Sequence, residues 1–87
     1  MQYSVKLRKA AQKQLEELPD GVYSTVWRRM VGLGEDPRPP GALKLASADL
    51  WRIRAGRYRV IYAINDSEQE VTVVRVARRS EGTYRGL

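Results

Sequence analysis

Apolar and polar positions follow two different periods along the N-terminal part of the chain. Alternation over residues 3–7 predicts a short opening strand. Apolar residues then recur every three or four positions, as on one face of a helix, until Pro19 ends the pattern. A second stripe of the same spacing predicts a second helix, with Asp20 as its N-cap and the Asp36-Pro37 step beyond its end. The stripes are Leu7, Ala11, Leu15 and Leu18, and Val22, Val26, Met30 and Leu33, with Tyr23, Trp27 and Val31 widening the second.

The remaining chain has the alternation and the β-branched residues of a sheet. Strands are predicted at residues 50–54, 57–64 and 70–77, and residues 42–45 are a candidate for a shorter one. The order β-α-α-β-β-β with short connections implies an α+β fold, in which an antiparallel sheet carries an N-terminal two-helix hairpin on one face. We expect residues 1–87 to form a single domain, because no linker or internal repeat divides them.

The chain has no cysteine and no histidine. These absences remove disulfides, thiolate nucleophiles, the commonest metal ligand and the usual proton shuttle at neutral pH. The sequence has no glycine-rich phosphate loop, and the acidic residues Asp49, Glu70 and Glu81 are isolated. We therefore expect no metal and no cofactor. No apolar run suits a signal peptide or a membrane span, so we expect a cytoplasmic protein with no membrane partner.

The charge balance is strongly basic and is carried mainly by arginine. Sixteen lysines and arginines against ten acidic residues give a formal net charge of +6, and twelve of the sixteen are arginines. The planar guanidinium group binds phosphate with two hydrogen bonds and stacks on bases, so this bias favours a nucleic-acid partner. The alternative is a basic surface that serves solubility or pairs with an acidic protein.

Strand alternation is expected to bring several of these arginines together. Arg52 and Arg54 share one face of a strand, and Arg57 and Arg59 share one face of the next, across a turn at Gly56. Like charges on neighbouring strands destabilise a sheet unless an anion lies between them, so this row predicts a phosphate-binding face. More positive charge near the end of the last strand comes from Arg75, Arg78 and Arg79. The alternative is a solvated outer face with interspersed acids.

Tyr84 lies near these arginines in the segment RRSEGTYR. A tyrosine there can stack on a base or transfer a proton, and the alternative is a tail residue that packs on the sheet edge. A nuclease built from arginine and tyrosine would use the 2′-hydroxyl of its substrate as the nucleophile. Arginines would neutralise the charge that develops on the phosphorane. That chemistry restricts the substrate to RNA.

Specific segments extend this interpretation. Residues 51–62 have the pattern WRIR-x-G-x-YRVIY, preceded by Leu43-Lys44-Leu45 and followed by Val76-Ala77-Arg78-Arg79 and by Tyr84. Asp36-Pro37 follows the second predicted helix. With these features the chain resembles, over nearly its whole length, the RelE/ParE superfamily of bacterial and archaeal toxins. The resemblance implies the fold already predicted, which is related to small microbial ribonucleases.

The RelE branch of that superfamily implies the toxin of a type II toxin–antitoxin system. Such a toxin is a ribosome-dependent endoribonuclease that cuts mRNA in the A site by 2′-hydroxyl attack, without metal, and so inhibits translation. The implied partners are ribosome-bound mRNA, 16S rRNA and a RelB-like antitoxin in a toxin–antitoxin hetero-oligomer. Matched residue by residue, the implied catalytic residues are Arg54, Arg59, Arg79 and Tyr84. The implied RNA-binding residues are Lys44, Arg52, Arg57 and Arg78.

Two departures from the RelE pattern leave alternatives open. That branch often has lysines where this chain has Arg52 and Arg54, and an arginine does not release its proton, so Arg54 is a poor general base. Proton abstraction then falls to Tyr84 or to the ribosome. The spacing to Tyr84 also allows Arg78 to replace Arg79 as the functional arginine. The rival functions are a ParE-like inhibitor of DNA gyrase and a catalytically inactive relative that binds RNA or antitoxin.

Overall fold

Residues 2–46 and 48–78 are described by the computed structural model. Alternating apolar side chains along its strands build one face of a five-stranded sheet, and two helices cover that face. The elements in chain order are β1 (Ser4–Leu7), α1 (Lys9–Glu16), α2 (Asp20–Glu35), β2 (Leu43–Lys44), β3 (Trp51–Ala55), β4 (Tyr58–Asn65) and β5 (Glu70–Arg78). The predicted α+β fold with an N-terminal helical hairpin is therefore confirmed.

The sheet is mixed rather than wholly antiparallel. Its strand order is β1-β5-β4-β3-β2, and β1 pairs in parallel with β5 while every other pairing is antiparallel. The chain changes direction at each step from β2 to β3, β4 and β5, so β5 runs opposite to β2. Because β1 is parallel to β5, β1 also runs opposite to β2. The helical hairpin therefore returns the chain to the end of the sheet where β1 finishes. Short connections alone predicted antiparallel pairing, but the helical hairpin carries the chain from β1 at one edge of the sheet to β2 at the other edge, and the last strand, β5, then pairs with β1 in parallel.

The core lies between the two helices and one face of the sheet. It contains Ala11 and Leu15 from α1 and the predicted stripe of α2, together with strand residues such as Ile53, Val60, Tyr62, Val71 and Val73. The expectation that a further row would widen the α2 stripe was wrong. Tyr23, Trp27 and Val31 are 37%, 46% and 52% exposed. The sheet meets α2 along one side only, so this row remains at the surface.

The start of α2 also differs from the sequence prediction. Pro19 occupies the N-cap position with no side-chain capping bond, and its carbonyl accepts a hydrogen bond of 2.8 Å from the amide of Tyr23. Asp20 lies inside the first turn instead, where its negative charge still interacts favourably with the helix dipole.

Neither helix of the described segments has both the length and the apolar character that a membrane span requires.

Candidate nucleic-acid interface

The face of the sheet away from the helices carries four arginines on three neighbouring strands. Arg54 lies directly opposite Arg59 on β4, and in the adjacent row Arg52 lies opposite Ile61, which in turn lies opposite Arg75 on β5. Residues opposed in this way have Cβ atoms about 5 Å apart. We call this surface, defined by Arg52, Arg54, Arg59 and Arg75, the arginine face. The predicted cluster of Arg52, Arg54 and Arg59 is thus brought together.

Arg75 belongs to the arginine face because β5 contains a bulge. The pairing slips between Ile61 and Tyr62, which lie opposite Arg75 and Val73, so that Val74 is an extra residue on β5. Strict alternation from Val73 would have turned Arg75 toward the helices. The extra residue reverses the in–out alternation of the side chains, so that Val76 faces the core and Arg75 faces outward. The adjacent valines at positions 73 and 74 are the signal of this phase change in the sequence.

The arginines of this face differ in exposure. Arg54 is exposed, whereas Arg52, Arg59 and Arg75 are half-buried, and the Nε atom of Arg59 is shielded from solvent. Ile61 is 0% exposed although it lies outside the core cluster under the helices. Half-buried guanidinium groups interact with a phosphate more strongly than fully solvated ones, because less water screens the charges. The arrangement can therefore hold anionic groups against the sheet.

The acidic residues near the sheet are engaged by other cations. Asp66 accepts two hydrogen bonds from Arg38, at 3.2 and 3.0 Å, and one of 2.7 Å from the Tyr3 hydroxyl. Glu70 pairs with Lys6 at 2.7 Å, at the edge of the sheet formed by β1. Both carboxylates lie at the β4–β5 turn or beside it, away from the cross-strand rows of the arginine face.

Three of the predicted RNA-binding residues lie away from the arginine face. Arg57 is exposed in the two-residue turn between β3 and β4, where the φ of Gly56 is +63°, as in a type II′ hairpin. Arg78 pairs with Tyr58, on the helix side of the sheet, because the β5 bulge reverses the alternation. Lys44 lies opposite Trp51 and forms an ion pair of 3.6 Å with Asp49. Contacts of these residues with RNA stay predictions.

Arg79 and Tyr84 lie outside the described residues. Their predicted roles in catalysis, and the choice between Arg78 and Arg79, therefore rest on the sequence alone. Within residues 2–46 and 48–78 no group of three potential ligands gathers that could hold a metal ion.

A second polar cluster fastens the loop between α2 and β2. Arg38 lies 5.2 Å from the centre of the Trp51 ring in addition to its bonds with Asp66. The guanidinium of Arg38 and the Tyr3 hydroxyl lower the pKa of Asp66, and the bond to Asp66 raises the pKa of Tyr3. The Tyr62 hydroxyl donates a bond of 2.7 Å to the carbonyl of Pro37, and burial raises its pKa to about 12. These contacts hold the loop against the end of the sheet.

Comparison with known proteins agrees with this architecture. A family model described as the ParE toxin of type II toxin-antitoxin system, parDE, matches residues 5–82. The chain belongs to the RelE/ParE toxin superfamily. The family predicted from residues 51–62 and their flanks is thereby confirmed, and the protein is a RelE-like toxin of a type II toxin–antitoxin system.

The relatives of this toxin include proteins named for RelE. Toxin RelE of Mycobacterium tuberculosis is 32% identical over 85 residues, which cover 95% of this chain and 87% of the relative. The toxin–antitoxin complex RelBE2 of the same organism contains a chain with a TM-score of 0.81 and 27% identity, covering 91% of this chain and 100% of that one. A chain of the archaeal RelE–RelB complex from Pyrococcus horikoshii has a TM-score of 0.78 and 30% identity, and the match covers 93% of this chain and 99% of that one.

Proposed function

We propose that this toxin is a ribosome-dependent endoribonuclease that cleaves mRNA in the A site and thereby inhibits translation. The observation that carries the proposal is the arginine face, where Arg54 and Arg59 are directly opposed and Arg52 and Arg75 lie in the next row. Opposed cations destabilise a sheet that has no ligand, and a polyanion reverses the sign of that interaction. Relatives named RelE support the choice of mRNA on the ribosome as the polyanion. Action on ribosome-bound mRNA also implies a cytoplasmic location.

The proposed reaction is a transesterification within the RNA strand. The 2′-hydroxyl loses its proton and its oxygen attacks the adjacent phosphorus, while the bond from phosphorus to the 5′-oxygen of the next nucleotide breaks. The products are a 2′,3′-cyclic phosphate and a 5′-hydroxyl group, which receives a proton. Guanidinium groups stabilise the negative charge that builds up on the phosphorane oxygens. No metal is needed, because the substrate supplies the nucleophile and the arginines supply the positive charge.

Within this reaction each predicted residue has a separate role. Arg52 and Arg54 bind and orient the mRNA phosphates, and Arg59 clamps the reacting phosphate from the opposite strand. Arg79 stabilises the transition state or the leaving group, and Tyr84 stacks on a base and is the candidate for proton transfer. An arginine keeps its proton at neutral pH, so none of the arginines serves as the base. The remaining contacts with RNA are assigned to Lys44, Arg57 and Arg78.

Primer extension on cellular mRNA after induced expression of the toxin tests this proposal. We expect cuts within codons of translated messages, and in a purified system we expect those cuts only when ribosomes are present. Cleavage of naked RNA at the same sites would contradict the ribosome dependence. The Arg54→Gln variant removes one charge of the arginine face at an exposed position and should cut less mRNA than the wild type does.

A ParE-like inhibitor of DNA gyrase is the second candidate, because the family model that matches the chain carries the name of ParE. Inhibition of DNA gyrase would leave the mRNA intact and would produce an SOS response and linearised plasmid in the same cells. A third outcome, with intact mRNA and intact plasmid but stable RNA binding, would indicate a catalytically inactive relative. The same induced culture therefore separates the three functions.

We also propose that the cognate antitoxin docks in the apolar groove between β1 and α2, on the helix side of the sheet and away from the arginine face. The groove has a volume of about 300 Å³ and is lined by Val5, Leu7, Trp27 and Val31 among others. It lies beside an edge strand, and such an edge offers unpaired backbone groups to a partner. The structures of RelE–RelB complexes support an antitoxin as the occupant. A cation in this groove should therefore disrupt the complex.

The antitoxin encoded beside the toxin gene provides the test of this docking. Trp27→Lys should weaken the complex by about 2 kcal/mol or more, roughly thirtyfold, as for a central aromatic contact. Thr25→Lys introduces the same charge on an exposed position of α2 outside the groove and should bind as the wild type does. Equal affinity of the two variants would remove the groove from the interface.

A further inference from the structure

A groove at the edge of the sheet brings a cation from α2 to the end of the arginine face. β2 pairs with β3 only through Arg52 and Trp51, so the rest of β3 has no neighbouring strand on that side within the described part of the chain. Arg29 reaches over from α2, and its Nε donates a hydrogen bond of 3.1 Å to the carbonyl of Arg54. That bond satisfies an edge carbonyl and fixes the Arg29 guanidinium beside β3.

The lining of this groove is basic. Its volume is about 310 Å³, and it is bounded by Arg29, Gly41, Leu43, Arg52 and Arg54. Among the residues that the structure describes, no acidic side chain lines it. The Arg54 carbonyl is the only hydrogen-bond partner of the Arg29 side chain within residues 2–46 and 48–78, and it uses the Nε proton. The four protons on the Nη atoms of Arg29 thus face no carboxylate there.

We propose that Arg29 and Arg52 form a phosphate subsite for a single-stranded RNA backbone that crosses the edge of β3. The subsite lies next to the arginine face because Arg52 and Arg54 belong to both surfaces. A strand whose phosphates bind Arg54 and Arg59 can therefore place a neighbouring phosphate in the groove. Leu43, which is 53% exposed, offers apolar surface to the ribose. This inference rests on the proposed function and adds a residue of α2 to the RNA-binding surface.

The test compares two neighbouring arginines of the same helix. Arg29→Gln and Arg28→Gln remove the same charge, but only Arg29 lines the groove. The probe is a single-stranded RNA with 2′-O-methyl riboses, which cannot react through the 2′-hydroxyl, and fluorescence anisotropy gives its affinity from 50 to 200 mM salt. We expect Arg29→Gln to reduce the slope of log affinity against log salt by about 0.7, the value for one phosphate contact. Arg28→Gln should leave the slope unchanged.

A second pair of variants keeps the test valid if the loss of the Arg29 bond impairs folding. Leu43→Glu places a carboxylate in the groove from an exposed position, and Ala46→Glu places one on an exposed position outside it. We expect Leu43→Glu alone to weaken binding, by tenfold or more. The subsite would be overturned if Arg28→Gln and Arg29→Gln changed the salt slope equally, or if Arg29→Gln kept the wild-type slope. It would also be overturned if Leu43→Glu and Ala46→Glu weakened RNA binding equally.

Wild-type behaviour separates this inference from the proposed function. If the wild type cuts ribosome-bound mRNA and Arg29→Gln binds the probe normally, only the subsite is wrong. If the wild type neither binds the probe nor cuts mRNA, both proposals fail. Preferential binding of an acidic peptide over the RNA probe by the wild type, lost in Arg29→Gln, would reassign the groove to a protein partner.

Discussion

Arg54 on β3 lies directly opposite Arg59 on β4, with no acidic residue in the same cross-strand row. The row continues to Ala77 on β5. Like charges opposed across two strands repel each other, and an anion bound over both guanidinium groups reverses the sign of that interaction. The pair is therefore better explained by what it binds than by what it contributes to the fold.

The first prediction concerns this pair. Arg59→Ala should weaken RNA binding for every sequence and reduce its salt dependence, because the contact proposed for Arg59 is with the phosphate backbone rather than with the bases. A lost charge-assisted hydrogen bond of about 1.5–3 kcal/mol corresponds to a ten- to hundredfold loss of affinity. Binding of a non-reactive RNA at several salt concentrations measures both effects. Lys13→Ala, on an exposed position of α1, is the control, and a loss as large in that variant would show only a dependence on net charge.

The second prediction separates two arginines of β5. Arg75 turns toward the arginine face and Arg78 toward the helix side, because the bulge at Val74 changes the alternation between them. Arg75→Gln should therefore reduce the salt slope of RNA binding by about 0.7, and Arg78→Gln should change it less. The two variants alter the same charge on the same strand. A larger effect of Arg78→Gln would show that Arg78 contributes more to RNA binding than Arg75 does.

The third prediction concerns the segment beyond the described residues. Arg79→Ala or Tyr84→Ala should abolish mRNA cleavage and toxicity, while the variant proteins still fold and bind the antitoxin. Cleavage by primer extension and complex formation by co-purification are measured on the same preparations. Tyr84→Phe distinguishes the two roles of the tyrosine, because the ring still stacks but can no longer transfer a proton. Retained cleavage in both alanine variants would refute the assigned roles.

The fourth prediction follows from the lowered pKa of Asp66. Hydrogen bonds from Arg38 and Tyr3 favour the carboxylate, so its pKa is lower in the folded chain than the value of 3.8 expected without them. The group therefore stabilises the fold above the unfolded pKa, and this contribution is lost as the pH falls through the folded pKa. Asp66→Asn should lower the free energy of unfolding at pH 7, and its difference from wild type should shrink below about pH 4.

Urea unfolding at pH 7 and below about pH 4 measures the difference in free energy of unfolding between wild type and Asp66→Asn. Glu68→Gln in the same turn is the matched control, since Glu68 forms neither of these side-chain bonds. A difference between wild type and Asp66→Asn that stays constant with pH would show that the carboxylate charge plays no part.

Much of the fold could be predicted because the local signals agreed with the packing. The stripe of Val26, Met30 and Leu33 and the alternation around Ile53 and Val60 both face a single core. The parallel pairing of β1 with β5 could not be predicted, because hydrophobic period gives the face of a strand but not its neighbour. The exposure of Trp27 depends likewise on how far the sheet extends beneath α2.

The candidate site was predicted as far as simple alternation holds. Arg52, Arg54 and Arg59 lie on strands without an interruption between them, and they were placed on one face correctly. Arg75 and Arg78 lie beyond the bulge, where strict alternation gives the wrong face for both. Arg29 carried no signal in the sequence, because its contact with the Arg54 carbonyl joins residues 25 positions apart.

The bulge at Val74 determines which face of the sheet the end of β5 presents. If the same residues formed an uninterrupted strand from Val73 onward, Arg75 would point at the helices and Val76 at solvent. Loss of Val74 together with the bulge would instead leave a regular strand in which Arg75 still points outward and Val76 still points at the core. Relatives that lack a residue at this position should therefore lack the bulge as well and keep their basic surface.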